Sequence, residues 1–88
     1  MNEKYGSLSH KKEEQQFLNA LGKKIKQLRL GKDWSQERLG FKSNLDRTYI
    51  GGIERGERNL TVLNLKKIAD ALGVSVSFIL SEKSNKEE

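Results

Sequence analysis

The residues best equipped for chemistry lie in one stretch, WSQERLGFKSNLDRTYIGGIERGERN, from Trp34 to Asn59. Wound at about 100° per residue, the segment from Asp46 to Arg55 divides into two faces. Ile50 and Ile53 point one way, with Glu54 beside them. Thr48, Gly52 and Arg55 point the other way, with Gly51 nearby and Arg47 and Tyr49 on the flanks. This second face carries no carboxylate. A guanidinium there can pair bidentately with guanine O6 and N7, and a threonine can meet a thymine methyl or a phosphate. The pattern therefore suits the major groove of duplex DNA. Arg55, Arg58 and Asn59, at and just past the helix end, are candidate phosphate contacts, although Arg58 reads equally well as an ordinary solvated charge.

Other chemistries find little support. His10 is the only histidine, and one histidine in a polar arm offers neither a metal site nor a catalytic dyad. Gly51, Gly52 and Gly56 do not follow a strand and match no phosphate-binding loop. The expectation is a protein that is not an enzyme and has no cofactor, metal or small-molecule ligand. Trp34, between two helices, reads as a core anchor before it reads as a base-stacking platform. The pair Gly51-Gly52 costs roughly 1 kcal/mol per residue against alanine in mid-helix. Either a bare face lets the helix sit deep in a groove, or its neighbours hold a tolerated weak spot.

These residues need elements to position them. Phe17, Leu18, Leu21, Ile25 and Leu28 recur at spacings of three and four, which predicts a first helix from about Glu14 to Leu30 that Gly31 stops. Ser35 is the N-cap candidate of a second helix, with Glu37 in its first turn and an end near Lys42. After the tight connection Ser43-Asn44-Leu45, Asp46 can cap a third helix to about Arg55, ended by Gly56. Thr61 can cap a fourth, with Val62, Leu65, Ile68, Ala69 and Leu72 inward and Gly73 closing it. A fifth, from about Ser75 to Leu80, offers Val76, Phe78, Ile79 and Leu80. The fold class is all-α, a compact five-helix domain over residues 14–80. Residues 36–55 form a helix-turn-helix, between a disordered arm (1–13) and tail (81–88). In that motif the first residues of the second helix reach the bases, which singles out Arg47, Thr48 and Tyr49.

Composition agrees. The chain has 88 residues, one domain's worth, and a domain of this size buries only about 60 to 65 % of its unfolded surface. It contains no cysteine, which excludes disulfides and thiolate metal sites. No apolar run is long enough to span a membrane, and the first residues are polar rather than signal-like, so the expected location is the cytoplasm, on the nucleoid. The net charge of +5 resides in residues 14–80, where 12 basic side chains face 7 acidic ones. A basic centre suits a polyanionic partner.

SQERLGFKSNLDRTYIGGIERGERN resembles the phage-repressor and Cro-like (XRE) helix-turn-helix family, through the Ser-Gln opening, Leu39 and the closing Ile53-Glu54-Arg55-Gly56. The resemblance covers roughly Ile25 to Ile79. Within the family, Leu45 to Ile50 followed by Glu54-Arg55 and Arg58-Asn59 looks most like the controller proteins of restriction–modification systems. The resemblance implies that Gln36 braces the DNA backbone, that Arg29 partners the core-side Glu54, and that dimerisation uses the last helix. There Val76, Phe78, Ile79 and Leu80, four apolar residues in five, exceed what one inward stripe needs and suit a dimer surface, unless all four pack inside the monomer. The resemblance further implies a homodimer on an inverted-repeat promoter operator, controlling its own gene and an endonuclease gene, with RNA polymerase as a further candidate partner. Prophage repressors and antitoxins share the fold and remain alternatives. So does a protein-interaction module without DNA binding. An RNA binder would need exposed stacking aromatics, which the sequence does not lead one to expect.

Overall fold

Among the described residues the chain forms five α-helices: α1 (Leu8–Gly31), α2 (Gln36–Ser43), α3 (Arg47–Glu54), α4 (Val62–Leu72) and α5 (Val76–Leu80). This computed structural model describes residues 8–81, and no strand occurs among them. The expectations for residues 1–7 and 82–88 lie outside the described residues. The core is a single cluster in which Ile25, Leu39, Ile50 and Ile68 are fully buried and Ile53 and Ile79 nearly so. Cutting any of them to alanine would cost about 2–5 kcal/mol, a large share of a small domain's stability.

Hydrogen bonds and backbone geometry explain where the helices begin and end. The hydroxyls of Ser35, Thr61 and Ser75 each accept from the backbone N–H three residues on, at 3.0 Å. Asp46 has the extended backbone of an N-cap, but its side chain makes no capping bond; only its charge near the helix dipole favours α3. The helices α3 and α4 are followed by Gly56 (φ 78°) and Gly73 (φ 75°), in the left-handed region where glycine carries no Cβ penalty.

Several boundaries and faces differ from the sequence expectation. α1 starts at Leu8, so residues 8–13 are helical rather than part of an arm. Lys11 to Gln16 are all exposed and are straight-chain residues with good helix propensity. They form a helix without an apolar stripe, and hydrophobic periodicity cannot detect that. Gly31 belongs to α1, and the left-handed residue after it is Asp33 (φ 61°). Phe17, at the head of the predicted stripe, is 42 % exposed, and it is its neighbour Leu18 that packs against the core. Val62, expected inward, is 78 % exposed; it opens the first turn of α4, ahead of the buried Leu65, Ile68, Ala69 and Leu72.

α1 crosses α3 in close contact. A Cβ on Gly22 would strike the backbone carbonyls of Ile53 and Glu54, so only glycine lets the two backbones approach this closely. Two turns earlier in α1, Gln15 Nε2 donates to the carbonyl of Gly56 at 2.8 Å and to Asn19 Oδ1 at 2.9 Å. The C-terminal end of α3 is thus held by side chains of α1.

Candidate nucleic-acid interface

α2 and α3 pack on each other through a three-residue connection, Asn44 to Asp46. Asn44 takes the left-handed conformation (φ 60°) and its N–H closes on the α2 carbonyls. Leu39, Ser43 and Ile50 turn inward, and Ser43 Oγ donates to the Leu39 carbonyl at 2.7 Å. A Cβ on Gly40 would lie 2.6 Å from the Leu45 carbonyl oxygen, so α2 abuts the turn here without a side chain. Rigid packing of this kind fixes the angle at which α3 is presented.

The first turn of α3 carries Arg47 and Thr48, both exposed, and the half-buried Tyr49. Lacking acidic residues, that turn offers solvent a guanidinium and a hydroxyl. The middle of the same face is not bare. Gly51 and Gly52 are both buried. A Cβ on Gly51 would lie 3.2 Å from Arg55 Nη1 and 3.3 Å from Gln36 Oε1, and one on Gly52 would lie 3.0 Å from Arg58 Cγ. The two glycines are therefore slots in which long polar side chains lie. Neither a naked groove-facing surface nor a simple weak spot describes them, and Gly52, singled out as a DNA contact, sits beneath Arg58.

Beneath this face lies a buried ion pair. Arg29 Nε and Nη2 donate to Glu54 Oε2 and Oε1 at 2.7 and 2.9 Å, and Arg29 Nη1 donates to the Trp34 carbonyl at 2.8 Å. Gln36 Nε2 adds a third bond to the carboxylate, at 3.0 Å. The hydrogen bonds that Arg29 donates to Glu54 raise the Arg29 pKa, against the opposing effect of burial. With its two oxygens so occupied, the buried carboxylate is paired and hydrogen-bonded as a low-dielectric site demands. The cluster joins the end of α1, the start of α2 and the end of α3, and it sets the orientation of Gln36.

The basic groups past α3 are held in different ways. Exposed Arg55 forks onto Glu57, Nε to Oε2 at 3.0 Å and Nη2 to Oε1 at 3.1 Å; these bonds hold the Glu57 carboxyl below its usual range and raise the Arg55 pKa. Arg58 lies over the Tyr49 ring, its guanidinium carbon 5.4 Å from the centroid. Asn59 is exposed and borders a groove with Phe17 and Leu18 of α1. Trp34 is half-buried against the core, with Lys32 and Lys42 over its ring at 5.3 and 5.7 Å.

Sequence reasoning missed Asn64, whose Nδ2 donates to the Tyr49 hydroxyl at 3.0 Å. Its position three residues after the cap Thr61 is legible; its partner 15 residues back is not. On α5 the four apolar residues divide. Ile79 is 2 % exposed and belongs to the core, and Val76 packs against it. Only Phe78 (37 % exposed), with Lys24 Nζ 4.4 Å over its ring, and Leu80 (39 %) remain exposed, because a short helix seated on the core must turn part of its surface inward. Leu80 and Phe17 line an open groove of about 510 Å³ between α1 and α5.

No described helix is long and apolar enough to cross a membrane, and no described cluster of His, Asp or Glu could hold a metal ion. The helix-turn-helix family (HTH_3) matches residues 25–79. The control protein C.BamHI of Bacillus amyloliquefaciens is 50 % identical over 60 residues, covering 67 % of this chain and 74 % of that one. The control protein C.MunI of a Mycoplasma species is 45 % identical over 62 residues, covering 69 % and 84 %. The crystal structure of the restriction–modification controller protein C.AhdI from Aeromonas hydrophila matches with a TM-score of 0.69 at 44 % identity, over 70 % of this chain and 94 % of that one. The exposed start of α3, the buried Arg29–Glu54 pair beneath it and these similarities agree: the chain belongs to the XRE-type helix-turn-helix family of non-enzymatic DNA-binding transcription regulators, alongside the restriction–modification control proteins.

Proposed function

We propose that the protein is a restriction–modification controller that binds an inverted-repeat operator as a homodimer and regulates its own gene together with a neighbouring endonuclease gene. The observation that carries this reading is the start of α3, where Arg47 and Thr48 stand exposed on a helix anchored from below. Arg47, Thr48 and Tyr49 choose the sequence, while Gln36, Arg55, Arg58 and Asn59 hold the phosphates. A single domain of this size makes few base contacts. Two copies on half-sites about one helical turn apart would supply the missing specificity. The second copy docks on the α5 face, where Phe78 is exposed and Leu80 lines the groove bordered by Phe17. Regulation then follows from where the operator lies relative to RNA polymerase on the nucleoid, with protein concentration as the input.

Fluorescence anisotropy with the duplex just upstream of the reading frame, beside a scrambled duplex of equal length, tests this reading. The expected preference is about a thousandfold, and Arg47→Ala should remove about 1 to 3 kcal/mol of it while leaving the scrambled duplex nearly unaffected. Equal weak binding to both duplexes would defeat the proposal.

A further inference from the structure

Tyr49 is held from two sides by residues outside the recognition helix. From α4, Asn64 Nδ2 donates to its hydroxyl at 3.0 Å. From the loop after α3, Arg58 covers its ring. Asn64 is itself fixed, since its backbone N–H donates to the capping hydroxyl of Thr61 at 3.0 Å. At this third position of a helix a Glu or Gln side chain commonly folds back to the cap. Here the shorter amide reaches across to α3 instead.

We infer that Asn64 is a positioning residue that sets the hydrogen-bond polarity of the Tyr49 hydroxyl and so determines which base edge Tyr49 reads. The inference rests on the DNA-binding reading above. A phenol oxygen can accept hydrogen bonds and donates one. Because Asn64 occupies an acceptor site with an N–H, the phenolic proton is directed away from α4. Tyr49 then presents a donor to the groove. A donor pairs with guanine O6 or N7, adenine N7 or thymine O4, and meets the exocyclic amino groups of cytosine and adenine unfavourably. The same bond restrains the ring on which Arg58 rests, so a residue that touches no DNA governs one that does.

The test begins with the full-length wild-type chain selecting from a pool of randomised duplexes, followed by anisotropy on the enriched and scrambled duplexes. Asn64→Ala and Tyr49→Phe should each lower the enriched-to-scrambled affinity ratio by about tenfold, the scale of one hydrogen bond. The double variant should be no worse than either single one, because both remove the same bond. Thermal unfolding of each variant reports the fold separately. Asn64→Asp guards against a folding failure, since a carboxylate is favourable in a helix's first turn. Its carboxylate would accept the phenolic proton. Reselection with it should move the base preference at one position of each half-site from acceptor edges towards amino edges. Multiplying losses in the double variant would overturn the inference, as would Asn64 variants that enrich the wild-type sequence at an unchanged ratio. Should the wild-type protein enrich no sequence, the DNA-binding reading itself would be overturned.

Discussion

Replacing Gly52 with alanine should stabilise the fold and weaken DNA binding at the same time. Gly52 lies inside α3 and has no left-handed backbone, so alanine gains about 1 kcal/mol of helix propensity. The added Cβ would stand 3.0 Å from Arg58 Cγ, 3.3 Å from Arg58 Nε and 3.7 Å from Arg58 Cδ. All three atoms belong to one exposed, flexible side chain, which can swing aside at little cost. The net gain should be somewhat under about 1 kcal/mol, a rise in Tm of roughly 3 to 6 °C for a domain of this size. Displacing Arg58 from its seat on Tyr49 and Gly52 should weaken binding to an operator by about tenfold, the scale of one positioned arginine contact. Circular dichroism melts and anisotropy titrations measure the two effects on one sample. Adding Gly52→Ala to an Arg58→Ala background should leave binding nearly unchanged, which separates a lost seat from a direct clash with DNA. A fall in Tm would mean that rigid structure fills the slot. A stabilised variant that binds as well as wild type would mean that Arg58 needs no seat.

Gly22→Ala should have the opposite effect on stability, because its Cβ would meet the Ile53 and Glu54 carbonyls at the α1–α3 crossing; a loss of at least about 2 kcal/mol in urea unfolding is expected, and a neutral result would refute the tight crossing. Glu57→Gln should release Arg55 from its bidentate partner, tighten binding to any duplex, and steepen the slope of log affinity against log salt by up to about one unit; an unchanged slope would show that Arg55 contributes no phosphate contact. Leu80→Glu should leave the monomer folded, since Leu80 is 39 % exposed, while raising the dimer dissociation constant about tenfold or more by sedimentation; an unchanged mass would move the dimer surface elsewhere.

Most of the fold was legible because its signals are local. Leu21, Ile25, Leu65, Ile68, Ala69 and Leu72 follow the helical repeat, and all are buried. Ser35 and Thr61 precede helices and cap them as their types predict, Ser75 caps the helix it was expected to open, and Gly56 and Gly73 adopt the left-handed turns. The early part of α1 is not legible in the sequence because Lys11 to Gln16, a run of exposed Lys, Glu and Gln, has no apolar period to read. Val62 and Ile79 were misplaced for a related reason. Periodicity gives relative angles around one helix, whereas the point at which a neighbour begins to cover it depends on how the helices pack.

The sequence by itself determined the helices, the helix-turn-helix and the exposed Arg47-Thr48 pair, because propensity, capping and amphipathic spacing act over a few residues. The tertiary structure alone decided that Gly51 and Gly52 are slots for Gln36, Arg55 and Arg58, and that Asn64 reaches Tyr49. It also decided which half of α5 remains exposed. Each of those contacts joins elements separated along the chain, and close packing brings them within bonding distance only once the core has fixed the angles between helices.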